Sequence, residues 1–502
     1  MAPRSFSIIT GTLLCSFVIV PLLAVWRQAD ASANLGPAEW AALRFTILQA
    51  FLSALLSCFL ALPVARALSR TQFPGRRLVI KLMGAPFILP VIVAILGLLA
   101  VFGQNGWLNA ALRSLEMGSF SIYGLHGVLL AHVFFNLPLA TRLILLGWAT
   151  IPQERFRLAQ HLALTPSARF RLIEWPMLRV VLPSAFAVIF VICLSSFAVA
   201  LTLGGGPKST TLELAIYQAF RFELDFAKVA LLGLIQLGLS LSAAILALRM
   251  AHEDQLGIGF DRPIDCEARS VIQKFHDTLA IFLALMFLGI PLLLVLANGL
   301  SNLSSLPVAV WMAALRSVLI ALGATVLCLL LALCLLSRSG EVLATLGIAV
   351  SPLLLGTGLF LIARPFLNPF DIILIVTLCV NALMSLPFAV RILRPEMIKI
   401  VSNFSRLSLS LGFSYRSWVR WVVWPRLRRP LGFAAGLTAA LSVGDLGVIA
   451  LFGDAERATL PFKLYQLMGS YRTEQAAGCA SLLLILSFSF FWIFDFWGRR
   501  NA

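Results

Sequence analysis

The sequence predicts an all-α integral membrane protein: about twelve transmembrane helices in two tandem, parallel six-helix repeats. Three observations lead there. The 502 residues are 60% hydrophobic and only 12% charged, whereas soluble domains carry about 25% charge. Charge-free runs of membrane-crossing length recur: Ser5–Trp26, Phe45–Ala65, Leu82–Leu112, Val180–Pro207, Thr278–Leu315, Ser317–Ser337, Val342–Ala363 and Ile372–Val390. About 20 apolar residues cross a bilayer as a helix, which satisfies its own backbone hydrogen bonds where no water can. Finally, RLAQHLALTPSARFRLIEWP at Arg157–Pro176 returns as RLSLSLGFSYRSWVRWVVWP at Arg406–Pro425, 249 residues later. A self-similar period close to half the chain signals duplication.

The expected spans are 6–26, 43–66, 80–103, 123–148, 180–204, 226–248, 274–297, 310–336, 342–363, 370–391, 430–452 and 475–497. The first resembles a signal peptide with Ala31-Ser32-Ala33 as its cleavage site. Its apolar run is longer than a usual signal core, and the second repeat has its own leading span at 274–297, so an uncleaved helix is expected. Arg66, Arg70, Arg76, Arg77, Lys81, the Arg155–Arg179 and Arg391–Arg429 loops, and Arg499 and Arg500 fall on one side. Basic loops stay cytoplasmic, so both termini are expected there. The domains read as 1–250, a polar cytoplasmic linker 251–273, and 274–502. Both halves start on the same side, so an axis along the membrane normal relates them.

Smaller echoes support the repeat. Arg142 returns as Arg391, and Gly204 as Gly453. Thr211-Leu212 and Tyr217-Gln218 return as Thr459-Leu460 and Tyr465-Gln466. Ala42-Leu43-Arg44 returns as Ala314-Leu315-Arg316 at an offset of 272.

Within the repeated stretch, Gln153–Leu162 reads as a basic helix. Thr165 then caps a new helix with Pro166 at its first position. In the second copy Pro395 opens the helix, Gly412 supplies the break and Ser414 the cap. Basic loops resting on lipid headgroups explain the arginines, but not two matched breaks, each followed by Trp-Pro. A helix–break–helix elbow for docking a partner explains both.

This pattern resembles the EAA loop of ABC-type importer permeases, in which a short coupling helix inserts into the ATP-binding subunit. The resemblance places the coupling contacts on Arg157, Ala159, Ala163, Leu164, Thr165, Pro166 and Ser167. In the second copy they fall on Arg406, Gly412, Phe413, Ser414, Tyr415 and Arg416. Two departures stand out: the family's leading Glu is Arg in both copies, and its Gly is Ala163 in the first. More narrowly, the chain resembles the fused permeases of bacterial thiamine importers. Ile122–Leu143, Phe170–Arg179, Leu201–Phe220, Leu441–Gly453 and Thr459–Arg472 carry that likeness. It implies a type I importer permease fold in the bacterial inner membrane. It also implies a separate ATP-binding subunit acting as a homodimer, a periplasmic substrate-binding protein, and thiamine with its phosphates as cargo. No cofactor and no catalysis are expected on this chain. Fused iron(III) permeases share the architecture and are the alternative.

Gly204-Gly205-Gly206-Pro207-Lys208-Ser209-Thr210 imitates a phosphate loop, but Pro207 precedes the Lys and an apolar helix precedes the glycines. The three glycines are expected to end a helix at the periplasmic mouth. Asp445 lies within an apolar segment, where a carboxylate is costly, and is the candidate residue of the translocation path. His126 and His132 are six apart without a complementing ligand and read as packing residues. Asn136 and Asn381 are expected to bond between helices, while Pro138 and Pro387 are expected to kink theirs. Seven of the eight cysteines sit in apolar segments; Cys266 does not, and no CxxC occurs, so no metal site is expected. The net charge of +17 belongs to the loops and accompanies no nucleic-acid motif. An ion-coupled carrier would need more intramembrane carboxylates, and a lipid-modifying enzyme would need an acid/base cluster.

Overall fold

The computed structural model describes residues 4–28, 35–84, 88–250, 271–368, 370–454 and 456–499. Residues 31–33, Cys266, Arg500 and most of the expected 251–273 linker lie outside the described residues. The first half runs α1 (Arg4–Trp26), α2 (Pro37–Arg70), α3 (Arg76–Leu82), α4 (Val91–Phe102), α5 (Trp107–Ser114), α6 (Leu125–Ala149), α7 (Gln153–His161), α8 (Pro166–Arg169), α9 (Trp175–Leu194), α10 (Phe197–Leu203), α11 (Leu212–Gln218) and α12 (Phe226–Met250). The second runs α13 (Val271–Leu300), α14 (Val308–Cys334), α15 (Arg338–Ala349), α16 (Pro352–Ala363), α17 (Ile373–Ser410), α18 (Tyr415–Trp418), α19 (Trp424–Val443), α20 (Gly447–Phe452), α21 (Leu460–Gly469) and α22 (Thr473–Arg499). Among the described residues, 11 helical runs are long and apolar enough to cross a membrane. The molecule is a multi-pass helical membrane protein.

The ninth expected span, 342–363, is not one helix. It divides into α15 and α16, of 12 residues each. Pro352 has no N–H to continue the ladder, and Ser351 caps the new start by accepting from Leu353 N at 3.2 Å and Leu354 N at 3.4 Å. The third expected span, 80–103, is likewise α3 followed by α4, whose cap is Pro90. The fifth and eleventh spans also break, at Ser195-Ser196 and at Gly444–Leu446. Hydropathy stays high through all four breaks, which is why composition alone reads them as unbroken. A fifth correction runs the other way. Pro395 opens no helix; it lies inside α17, which continues for 38 residues. Pro138 and Pro387 likewise stand inside α6 and α17, both of which run on through them.

The halves clasp each other reciprocally. α1 packs on α16 of the second half, and α13 packs on α4 of the first. Within each half, α2, α6 and α9 form one bundle and α14, α17 and α19 its counterpart. Lipid gives helices no hydrophobic reason to associate, so small residues and hydrogen bonds hold them. Ser481 Oγ donates to Val295 O at 2.8 Å between α22 and α13. The repeat extends to detail: Thr46 Oγ1 accepts from Leu212 N, and Ser317 Oγ from Leu460 N, each at 2.8 Å. These pairs dock α11 on α2 and α21 on α14.

Candidate coupling elbows and translocation site

Each elbow is a helix stop followed at once by a helix start. In the first, Leu164 N donates to Ala159 O at 3.0 Å and Ala163 N to Gln160 O at 2.9 Å. In the second, Phe413 N donates to Ser408 O at 3.0 Å and Gly412 N to Leu409 O at 3.1 Å. This paired pattern ends a helix with one left-handed residue. That residue is Ala163 at φ 48° in one copy and Gly412 at φ 64° in the other. The family's glycine therefore meets a backbone requirement, which Ala163 meets with strain. Thr165 and Ser414 then cap α8 and α18, accepting from Ala168 N and Ser417 N, each at 3.3 Å. A single π-helical turn follows in both copies, Phe170–Glu174 and Val419–Val423, before Trp-Pro opens α9 and α19.

Arg157, Ala163, Thr165, Pro166 and Ser167 are exposed, Leu164 is half-buried and Ala159 is buried. Arg406, Gly412, Phe413, Ser414, Tyr415 and Arg416 are all exposed. Apolar side chains stand out from both elbows, notably Leu162 and Leu158 in the first and Leu409, Leu411 and Tyr415 in the second.

The two are anchored differently. Behind the first, buried Glu174 receives Arg66 Nε at 2.9 Å and also pairs with Arg70, both from the end of α2. The Arg66 guanidinium lies over the Phe170 ring, 5.1 Å from its centre. A cleft of about 450 Å³ opens between Pro166 and Ser167 on one side and His276 and Asp277 of α13 on the other. The second elbow has Val423 where the first has Glu174. It is held instead by the unbroken α17 and by Arg426, whose guanidinium sits 4.0 Å from the centre of the Phe404 ring.

Asp445 occupies the break between α19 and α20 rather than a continuous helix. Its Oδ2 accepts from Gly447 N at 3.2 Å, closing the turn at the start of α20. The same break wedges between the two broken third helices. A Cβ on Gly444 would meet Pro90 at 2.9 Å, and one on Gly447 would meet Pro352 at 3.3 Å. Helix interruptions from both halves thus gather around Asp445, the arrangement in which membrane proteins tolerate irregular backbone. Other polar residues bond at the α9–α10 and α19–α20 breaks. His132 links Ser53 at 2.9 Å to Ser196, the cap of α10, at 2.8 Å. Asn136 donates to Cys193 Sγ at 3.3 Å, and Asn381 to Ser442 Oγ at 3.0 Å. His132, Asn136 and Asn381 are therefore inter-helix bonds, as expected. No cluster of three potential metal ligands occurs among the described residues.

Gly204 caps the end of α10, and Gly205 and Gly206 carry φ of 73° and 131°. Gly205 is pressed on the chain before α6, where a Cβ would lie 2.8 Å from Tyr123 Cβ. Gly206 faces open space. The elbows, Asp445 and the glycine turn are thus three separate sites.

Two further features were not foreseen. Arg221 reaches across to the second half and donates to Leu451 O at 3.1 Å and Gly453 O at 3.3 Å, at the end of α20. Beside it Phe220 meets Phe360 and Phe452 edge-on, at 5.2 and 5.0 Å between ring centres. These contacts seal the halves together. Glu213, fully buried on α11, accepts from Ser351 Oγ of the second half at 2.7 Å. A carboxylate in an apolar stretch was the available signal.

No protein-family profile matches the chain. Whole proteins do. It is 40% identical over 521 residues to the thiamine transport system permease protein ThiP of Escherichia coli, covering 98% of this chain and 96% of that one. The protein of the same name from Haemophilus influenzae is 39% identical, covering 97% and 95%. A sulfate transport system permease protein of Synechococcus elongatus is 28% identical over 48% of this chain but 87% of its own length. With two matched elbows, two interleaved helix sets and likeness along nearly its whole length, the chain belongs to the family of thiamine transport system permeases, ABC-type permeases of two fused halves.

Proposed function

We propose that this chain is the membrane-spanning subunit of an ATP-driven importer that carries thiamine and its phosphates across the bacterial inner membrane. The observation that carries the reading is the pair of elbows. Two stop–cap turns repeat at a spacing of 249 residues, each rimmed by exposed apolar side chains. A twofold partner engages two such knobs at once, and a homodimer of ATP-binding subunits has that symmetry. Arg157, Ala159, Ala163, Leu164, Thr165, Pro166 and Ser167, with Arg406, Gly412, Phe413, Ser414, Tyr415 and Arg416, are the coupling residues. The elbows and both termini then face the cytoplasm, and residues 1–250 and 274–502 are the two permease halves joined by the 251–273 linker. ATP binding closes the dimer and rocks the halves apart on the far side. Gly204, Gly205 and Gly206 stand at that mouth, where a periplasmic binding protein delivers the cargo past Asp445. The chain supplies no chemistry; ATP acts by favouring one of two arrangements.

The test is uptake of labelled thiamine by thiamine-limited cells with and without this chain. Loss of uptake, restored by the intact gene but not by one with both elbows disrupted, supports cargo and coupling together. Unchanged uptake overturns thiamine, and iron(III) is the next solute to measure.

A further inference from the structure

Glu213 is 0% exposed, and its Oε1 has no hydrogen-bond partner among the described residues. Its Oε2 accepts from the opposite half, from Ser351 Oγ at 2.7 Å, the cap of α16. Gln236 of α12 lies within hydrogen-bonding reach of the same carboxylate. The Gln236 amide nitrogen is committed to Leu194 O at 3.0 Å and Ser240 Oγ at 3.3 Å, and its own Oε1 is without a partner. The site is thus a buried carboxylate bordered by two neutral side chains, with one of its oxygens lacking a well-formed hydrogen bond and no cation beside it among the described residues.

Its position matters as much. Asp445 flanks the same end of α16, since Gly447, whose N–H it receives, packs on Pro352. The segment that carries Glu213 is also the seal between the halves, with Phe220 on Phe360 and Phe452 and Arg221 on the end of α20. When the halves part on this side, α11 leaves α16 and Glu213 loses Ser351. An ionised carboxylate left bare in an apolar interior is costly until a cation meets it.

We propose that Glu213 is a cargo-binding residue: on opening, a cationic ring exchanges for Ser351 as its partner, and on closing Ser351 displaces the ring toward Asp445. This rests on the reading above that the cargo is thiamine, an organic cation. The competing explanation is that Glu213 merely steadies the α16 N-terminus through Ser351. Two variants separate them. Glu213→Gln keeps an acceptor for Ser351 and removes the charge. Ser351→Ala removes the bond and keeps the charge.

The measurement is import of labelled thiamine into proteoliposomes holding the full complex of permease, ATP-binding subunits and binding protein, with ATP hydrolysis recorded in parallel. The expected result is at least a tenfold loss of import for Glu213→Gln, with assembly and hydrolysis retained, partial recovery for Glu213→Asp, and a smaller loss of about threefold for Ser351→Ala, which lacks the displacing hydroxyl but keeps the charge that receives the ring. Import by Glu213→Gln equal to the parent, or an equal loss in both variants, overturns the proposal while leaving the thiamine reading intact. A parent complex that hydrolyses ATP but imports no thiamine overturns both.

Discussion

Gly358 of α16 lies directly against the backbone of Pro21 in α1: a Cβ there would fall 2.4 Å from Pro21 O. Gly97 of α4 repeats the relationship with Pro291 of α13, at 2.7 Å. In each case the leading helix of one half rests on a glycine of the other half's broken helix. Gly358→Ala and Gly97→Ala should each destabilise the protein by about 1–3 kcal/mol through forced separation. Thermal unfolding in detergent reads this, with Gly238→Ala in α12, which meets nothing within 4 Å and should if anything stabilise its helix, as the clash-free control.

Ala163 and Gly412 hold the same left-handed turn with different residues. Ala163→Gly should relieve strain and raise stability by about 1 kcal/mol, and Gly412→Ala should cost about the same. Gly412 has open space around it, so its loss would be conformational rather than steric. Opposite shifts in unfolding temperature would establish this; shifts of the same sign would contradict it.

Glu174 is buried between two arginines, so Glu174→Ala should cost about 3–5 kcal/mol by leaving their charges unanswered. The damage should be local. Co-purification of the ATP-binding subunit should weaken, whereas Val423→Ala, at the matching place in the second elbow, should leave it near normal.

Arg221 and the three phenylalanines join the two halves. Arg221→Met should loosen that seal. A membrane-impermeant maleimide would then label Phe452→Cys faster in the Arg221→Met background than in the parent. Equal rates would show that Arg221 does not hold the seal.

Asp445→Asn keeps the turn-closing acceptor for Gly447 N and removes the charge. The complex should assemble normally and import thiamine at a tenth of the parent rate or less. Normal import would remove Asp445 from the path.

The elbows were legible because their signals are local: a Thr or Ser cap, a Gly at one break, and Trp-Pro at fixed spacing each dictate geometry on their own. The helix breaks were not, because Pro90 and Ser351-Pro352 interrupt runs whose hydropathy never falls. Pro395 misled in the opposite sense: α17 accommodates it without ending. Asp445 was found as a lone carboxylate between apolar neighbours. Glu213 was hidden because its place in the second half is Pro461, so comparing the repeats drew attention to Thr211 and Leu212 beside it. Its partner Ser351 is 138 residues away, a pairing only the tertiary fold creates.

The unbroken α17 sets the two elbows apart in kind. At 38 residues it is one continuous helix of about 57 Å, running through Pro387 and Pro395 to the tip that precedes Gly412. In the first half the corresponding path is jointed between Ala149 and Gln153 and braced sideways by Glu174. Under the coupling proposed above, a push at the second elbow would arrive as leverage on the tenth span as one piece, whereas a push at the first would be turned at a hinge into a pull on α2. A symmetric motor would thus drive an asymmetric gearbox, with one half steering while the other follows.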